Sequence, residues 1–109
     1  MKTGLPAITE PESRRIDRIK REVGCIACFL NGHPLGTPAD AHHLIDPATG
    51  NRISHLATIP LCKAHHLGPY SIHKRKLWFA GRYGSDQDLL DETNAQVLIL
   101  ENNTIGGPI

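Results

Sequence analysis

From Glu12 onward the chain places Ile16, Ile19 and Val23 at helical spacing, with Arg14, Arg15, Arg18, Lys20 and Arg21 between them. This pattern predicts a short amphipathic helix, stopped by Gly24, a residue suited to the position just past a helix end. The stretch GCIACFLNGHPLGTPAD mixes two cysteines with glycines and prolines and reads as a turn followed by a loop. AHHLID is a short strand candidate and HLATIPL a second, ending at Pro60. The turn cluster PATGNR lies between them, so an irregular hairpin is expected. After Cys62 the pattern turns toward helix through KAHH, breaks at Gly68-Pro69 and resumes through SIHKRKLWFAGRYG. Ser71 is the expected N-cap of that helix, and Trp78 and Phe79 are expected to pack it onto the hairpin. A last helix, from about Ser85 to Leu100, has Leu89, Leu90, Val97, Leu98 and Leu100 to bury, and Asp86 and Asp88 favour its N-terminus electrostatically. No periodicity marks the first residues. The expected organisation is a flexible lead-in over 1–12, one domain over 13–102 and a flexible tail over 103–109.

Composition sharpens this picture where it bears on stability. The chain has 109 residues, 39% of them apolar, with only five aromatics: Phe29, Tyr70, Trp78, Phe79 and Tyr83. A domain of this size buries a modest share of its surface, and small folds often recruit a metal to compensate. Three cysteines and seven histidines make that route available. The cysteine count is odd and Met1 to Glu10 contains no apolar run, which argues against a secreted disulfide scaffold and for a reducing compartment. No stretch approaches the roughly 20 apolar residues that span a bilayer, so a soluble cytoplasmic protein is expected, with no membrane partner.

Charge is unevenly distributed. All twelve Lys and Arg lie between Lys2 and Arg82 against six acids, a net +6, whereas the segment from Tyr83 carries five acids and no base. A basic body with an acidic C-terminal segment is compatible with a polyanionic partner, and equally with two ordinary solvated faces.

Spacing separates two sets of metal-ligating residue types. Cys25-x2-Cys28 and Cys62-x2-His65 are pairs that each present two side chains from one turn of backbone, and two such pairs close the tetrahedron that structural zinc prefers. His42, His43, His66 and His73 remain outside that set. His42 and His43 are adjacent on a strand candidate, so they point to opposite sides and can divide labour, one holding a metal and one reaching a water. His66 and His73 flank the Gly68-Pro69 break, so only the loop between them brings them together. His55 could pack the hairpin or contact a phosphate, and His33 is a loop residue or a substitute zinc ligand.

These pieces together resemble a known family. The joined pattern GCIAC, AHHLID, SHLATIPLCKAHH and the trailing His73 resembles the HNH endonuclease superfamily and, more closely, phage recombination-enhancement (Ref-type) nucleases, over about Arg14 to Leu90. The resemblance implies an α+β fold: a small zinc-stabilised ββα-metal (HNH) core with flanking N- and C-terminal helices. It implies a structural Zn2+ on Cys25, Cys28, Cys62 and His65. It also implies one catalytic divalent cation (Mg2+, Mn2+ or Zn2+) on His42, His66 and His73, and His43 as general base. Ala41 stands where HNH members often carry an acid, with Asp40 one residue earlier, and His66 stands at the middle position that is nominally Asn. DNA is the implied substrate, a RecA-type recombinase filament an implied partner, and a phage or prophage protein in a bacterial host the implied setting.

The expected activity is metal-dependent hydrolysis of DNA phosphodiester bonds with little sequence specificity. Arg52, His55, Lys74 and Arg75, with Lys76, are the candidate contacts to substrate phosphates, since backbone contacts position DNA without reading bases. The competing reading is a non-catalytic zinc-binding module that docks on DNA or a protein partner. Metal count per chain separates the two.

Overall fold

Thr9 and Glu12 start the first helix. In the computed structural model, which describes the backbone of residues 5–106 and the side chains of 5–102, the Thr9 amide donates to Glu12 Oε1 at 2.8 Å. Glu12's amide returns a bond to Thr9 Oγ1 at 3.3 Å. This reciprocal capping box satisfies two otherwise orphaned donors, so α1 (Glu10–Arg18) begins two residues ahead of the expected start. The helix then loosens into a π-helical turn over Ile19–Val23, which swings Ile19 and Val23 into full burial. The expected lead-in residues 1–4 and the end of the expected tail, 107–109, lie outside the described residues.

Gly24 closes that turn at φ +72°, in the left-handed region where glycine carries no steric penalty. A Cβ here would lie 2.4 Å from the Thr37 amide nitrogen and 2.6 Å from its carbonyl oxygen. The close approach is used: the Cys25 amide donates to the Thr37 carbonyl, and the Gly36 amide donates to the Val23 carbonyl. The loop over 31–39 is thereby strapped across the turn that presents Cys25. A short helix, α2 (Ile26–Leu30), follows at once.

β1 (Asp40–His43) pairs antiparallel with β2 (Thr58–Leu61), with Asp40 opposite Leu61, Ala41 opposite Pro60, His42 opposite Ile59 and His43 opposite Thr58. The second strand runs one residue past Pro60. A two-stranded ribbon leaves each strand with an open edge, and a proline is tolerated where its missing donor faces that edge. The connection between the strands is irregular, as expected. An isolated bridge joins Ile45 to Arg52, and Asp46 accepts the Gly50 amide at 2.7 Å to fold the intervening turn. Arg15 of α1 donates to the Thr58 carbonyl at 3.0 Å, which ties the first helix to β2.

Three helices follow: α3 (Lys63–Leu67), α4 (Lys76–Tyr83) and α5 (Asp86–Gly106). Two sequence expectations change here. Ser71 does not cap α4. It is fully buried and accepts the Lys74 amide inside the turn over 68–75, so Lys74 and Arg75 precede the helix. Phe79 packs in the core as expected, but Trp78 is 46% exposed, against Tyr70 and Tyr83. On α5, Leu89 and Val97 are buried, whereas Leu98 is 58% exposed, because one helical face cannot bury adjacent positions equally. The core joins Ile19, Val23, Ile26, Ile59, Leu61, Phe79 and Leu89. The result is a small α+β fold in which a two-stranded sheet is enclosed by helices. No helix among the described residues is long and apolar enough to cross a membrane.

Gly24→Ala is expected to lose about 1–3 kcal/mol from the backbone conformation alone. That should appear as a fall in melting temperature of at least roughly 5 °C. Gly81→Ala, at an open helical position, should hold or slightly raise the melting temperature in the same calorimetric scan.

Candidate active site and metal centres

Cys25 and Cys28 flank the start of α2, and Cys62 and His65 lie at the start of α3, so each pair comes from one turn of backbone. The folded core sets the two turns face to face. His65 Nδ1 lies 3.4 Å from Cys25 Sγ, 3.6 Å from Cys28 Sγ and 3.1 Å from Cys62 Sγ. Cys28 Sγ and Cys62 Sγ are 3.9 Å apart. Zinc bond lengths of about 2.3 Å to sulfur and about 2.0–2.1 Å to nitrogen give tetrahedral edges of about 3.8 Å between sulfurs and about 3.6 Å from sulfur to nitrogen. The four donor atoms therefore have the spacing and chemistry of a closed structural site, and these residues could hold a structural metal.

The local electrostatics agree. Burial, reinforced by the neighbouring thiols, pushes the Cys25 thiol up to about 12, and burial also raises Cys28. A divalent cation is the agent that makes buried thiols into thiolates. Burial lowers the His65 pKa, aided by nearby His33, so its ring is neutral and offers a lone pair at neutral pH. His33 itself is exposed and lies outside the four-atom cluster. On the far side of the His65 ring, Nε2 meets Tyr83 Oη at 3.2 Å. Tyr83 Oη also accepts from Asn31 Nδ2 at 3.0 Å, and Asn31 Oδ1 accepts from Arg82 Nη2 at 2.6 Å. This chain holds the His65 ring with Nδ1 toward the sulfurs and places Tyr83 Oη to accept the Nε2 proton once Nδ1 ligates a metal.

The second cluster begins one residue further along α3. His66 follows His65 on α3, and about 100° of helical rotation turns it away from the sulfurs. His66 Nε2 lies 3.3 Å from His42 Nδ1 and 3.1 Å from His73 Nε2, and the three donor atoms fall within 4.8 Å of one another. His73 reaches the group because the turn over 68–75 folds back: the Ile72 amide donates to the His65 carbonyl at 3.0 Å. Asp40 Oδ2 lies 3.6 Å from His66 Nδ1, whose nitrogen is buried without another partner. A proton on that nitrogen faces the carboxylate, which leaves the Nε2 lone pair for the cluster. Burial, then the charges of His73 and His66, holds the His42 pKa down to about 4, and burial lowers His73 as well.

On the opposite face of β1, His43 turns away from the cluster. Its Nε2 lies 3.1 Å from His55 Nδ1, and its pKa is lowered by burial, then by Arg52 and His55. Arg52 is exposed beside it, and Lys76 bears on His42 from the other side. Lys74 and Arg75 are also exposed, with the Arg75 guanidinium 5.2 Å from the centre of the Tyr70 ring. His55 has both ring nitrogens engaged, its Nε2 by the Pro6 carbonyl at 3.1 Å. A groove of about 600 Å³ along α1 and α5 is lined by none of these cysteines or histidines.

Residues 8–98 match the family described as recombination enhancement, RecA-dependent nuclease. The chain belongs to that family. Membership makes the protein a nuclease linked to recombination, with nucleic acid as its substrate class and RecA as the family's named dependency. No curated protein gives a significant match to it. Within this nuclease, the structure brings together all four residues of the first cysteine-histidine set and three of the four remaining histidines. His43 stands apart, paired with His55. Sequence reasoning missed Tyr83, Asn31 and Pro6. Each is distant in the chain from its partner, His65 for Tyr83, Tyr83 for Asn31 and His55 for Pro6, and no spacing signal connects them.

Two outcomes are expected. The nuclease should carry one tightly held zinc per chain, and Cys62→Ser or prolonged chelation should lower its melting temperature sharply, as read by metal analysis and circular dichroism. A zinc-free wild type with an unchanged melt would sink the structural site. Stability should also respond to acid. An unfolded histidine titrates near 6.5 and His42 near 4, so the unfolded state takes up protons first. Stability is therefore present above about pH 6.5 and declines as pH falls toward 4, and urea melts of His42→Asn should show a shallower decline.

Proposed function

We propose that this chain is a metal-dependent DNA endonuclease of the HNH (ββα-metal) type with little sequence specificity. In this reading β1, β2 and α3 form the ββα core, and His42, His66 and His73 hold the catalytic ion while His43 is the general base. The observation that carries it is the division of the paired histidines: three imidazole nitrogens converge on one side of β1, and a fourth ring stands apart from them on the other.

Nitrogen–nitrogen separations of 3.1 and 3.3 Å fit donors sharing one ion at about 2.0–2.1 Å each. A divalent ion held there, Mg2+, Mn2+ or Zn2+, supplies electrostatic stabilisation of the charge that develops on the phosphate and the departing 3′ oxygen. All-imidazole ligation favours the softer ions over Mg2+. His43, neutral at pH 7, accepts a proton from water as that water attacks phosphorus and the P–O3′ bond breaks. Asp40 orients His66, and Arg52, Lys74, Arg75 and Lys76 supply positive charge around the histidines for the DNA backbone. Contacts of this kind grip phosphates and do not read bases, which is the basis for weak specificity.

The test is cleavage of supercoiled plasmid and single-stranded DNA by the zinc-loaded chain, with and without Mn2+ or Mg2+, and with and without a RecA filament. Wild type should nick in the presence of the added ion. His43→Ala should cut at least roughly 100-fold more slowly while keeping its zinc and its melting temperature. Undiminished cutting by His43→Ala would remove the base assignment. Salt-sensitive DNA binding without cleavage under every condition would favour the alternative, a zinc module that docks on DNA.

A further inference from the structure

His55 presents both ring nitrogens to fixed partners, and their identities determine where its proton sits. The Pro6 carbonyl can only accept, so His55 Nε2, 3.1 Å away, must carry the proton and donate it. With the single ring proton on Nε2, Nδ1 of His55 is a bare lone pair. His43 Nε2, 3.1 Å from that lone pair, must be the donor of the second bond. His43 therefore holds its own proton on Nε2, and its remaining lone pair is on Nδ1, which has no hydrogen-bond partner among the described residues.

The scaffold holds His55 in place for this. Thr58, fully buried and directly opposite His43 in the ladder, donates from Oγ1 to the His55 carbonyl at 3.1 Å. Ser54 accepts the Leu56 amide at its hydroxyl and the Ala57 amide at its carbonyl, which closes a tight turn around His55. The Leu44 amide bonds to the Ala57 carbonyl, so the turn is pinned to the residue after His43. The ring centroids of His43 and His55 are 5.3 Å apart with the planes twisted by 76°, and nitrogens 3.1 Å apart at that centroid separation fit a near-linear N–H···N bond between the two rings.

We infer that His55 is a positioning residue that fixes the tautomer of His43 and leaves Nδ1 as the proton-accepting atom. Its functional consequence rests on the reading of His43 as general base. A phosphate contact by His55, one of the two roles expected from sequence, would require one of these two bonds to open.

Three substitutions of the full, zinc-loaded chain separate this role from packing. His55→Asn puts an amide oxygen near the Nδ1 position and can still accept from His43. His55→Gln reaches the Nε2 position and can still donate to Pro6, but loses His43. His55→Ala loses both. Two readouts are taken for each variant: the His43 tautomer by imidazole nitrogen–proton correlation spectra, and kcat and KM for plasmid cleavage with Mn2+, with the RecA filament added if cleavage requires it. Wild type should show His43 protonated on Nε2 alone. His55→Ala and His55→Gln should mix the tautomers and lower kcat by roughly 10- to 100-fold with KM little changed, and His55→Asn should recover most of both. An unmixed Nε2 tautomer in folded His55→Gln overturns the inference, as does recovery by Gln but not Asn. Should His43→Ala cleave like wild type, the base reading falls by itself, and the tautomer spectra still decide what His55 does.

Discussion

Three sulfurs and one imidazole nitrogen, supplied by turns whose inner residues Cys28 and Cys62 are 34 positions apart, meet within 4.8 Å of one another. Everything catalytic in the reading above is built outward from that meeting point. The core of this chain is small, and neither the five-residue α2 nor the five-residue α3 is long enough to be stable by its own hydrogen bonds. A metal on the four donors would hold both short helices against the sheet. It would do so without the large apolar surface that a 109-residue chain cannot provide.

That tie also sets the direction of the neighbouring side chains. His65 is committed to the sulfurs and braced by Tyr83, so His66 has only one direction left, toward β1. On β1 the pleat does the same for His42 and His43, sending one toward His66 and the other toward His55. Two pairs of adjacent histidines, one on a helix and one on a strand, thus sort four rings into three environments. The period of each element does the sorting: about 100° per residue in the helix and a full reversal in the strand.

The surroundings tune the sorted rings. Burial is the leading cause of the lowered proton affinity at His42, His43, His65 and His73, so each is a neutral lone-pair donor at neutral pH. Arg52 and Lys76 add positive field near His43 and His42, which lowers their proton affinity further and suits an approaching phosphate. Fixed neighbours then occupy the far side of each ring: Asp40 lies near His66 Nδ1, Tyr83 bonds His65 Nε2 and His55 bonds His43 Nε2.

Much of this was readable from the chain because it depends on short-range spacing. The Cys-x2-Cys and Cys-x2-His pairs, the opposed His42 and His43, the hairpin and the helix ended by Gly24 all follow from local backbone periodicity. The family match over residues 8–98 spans all of these motifs. What the chain did not show were the long-range partners: Tyr83 on His65, Arg15 on the Thr58 carbonyl, Pro6 on His55, and the exposure of Trp78 beside buried Phe79. Those depend on which faces of separate elements meet. Spacing along a chain determines which side chains share a turn, and only packing of the whole core decides which turns come into contact.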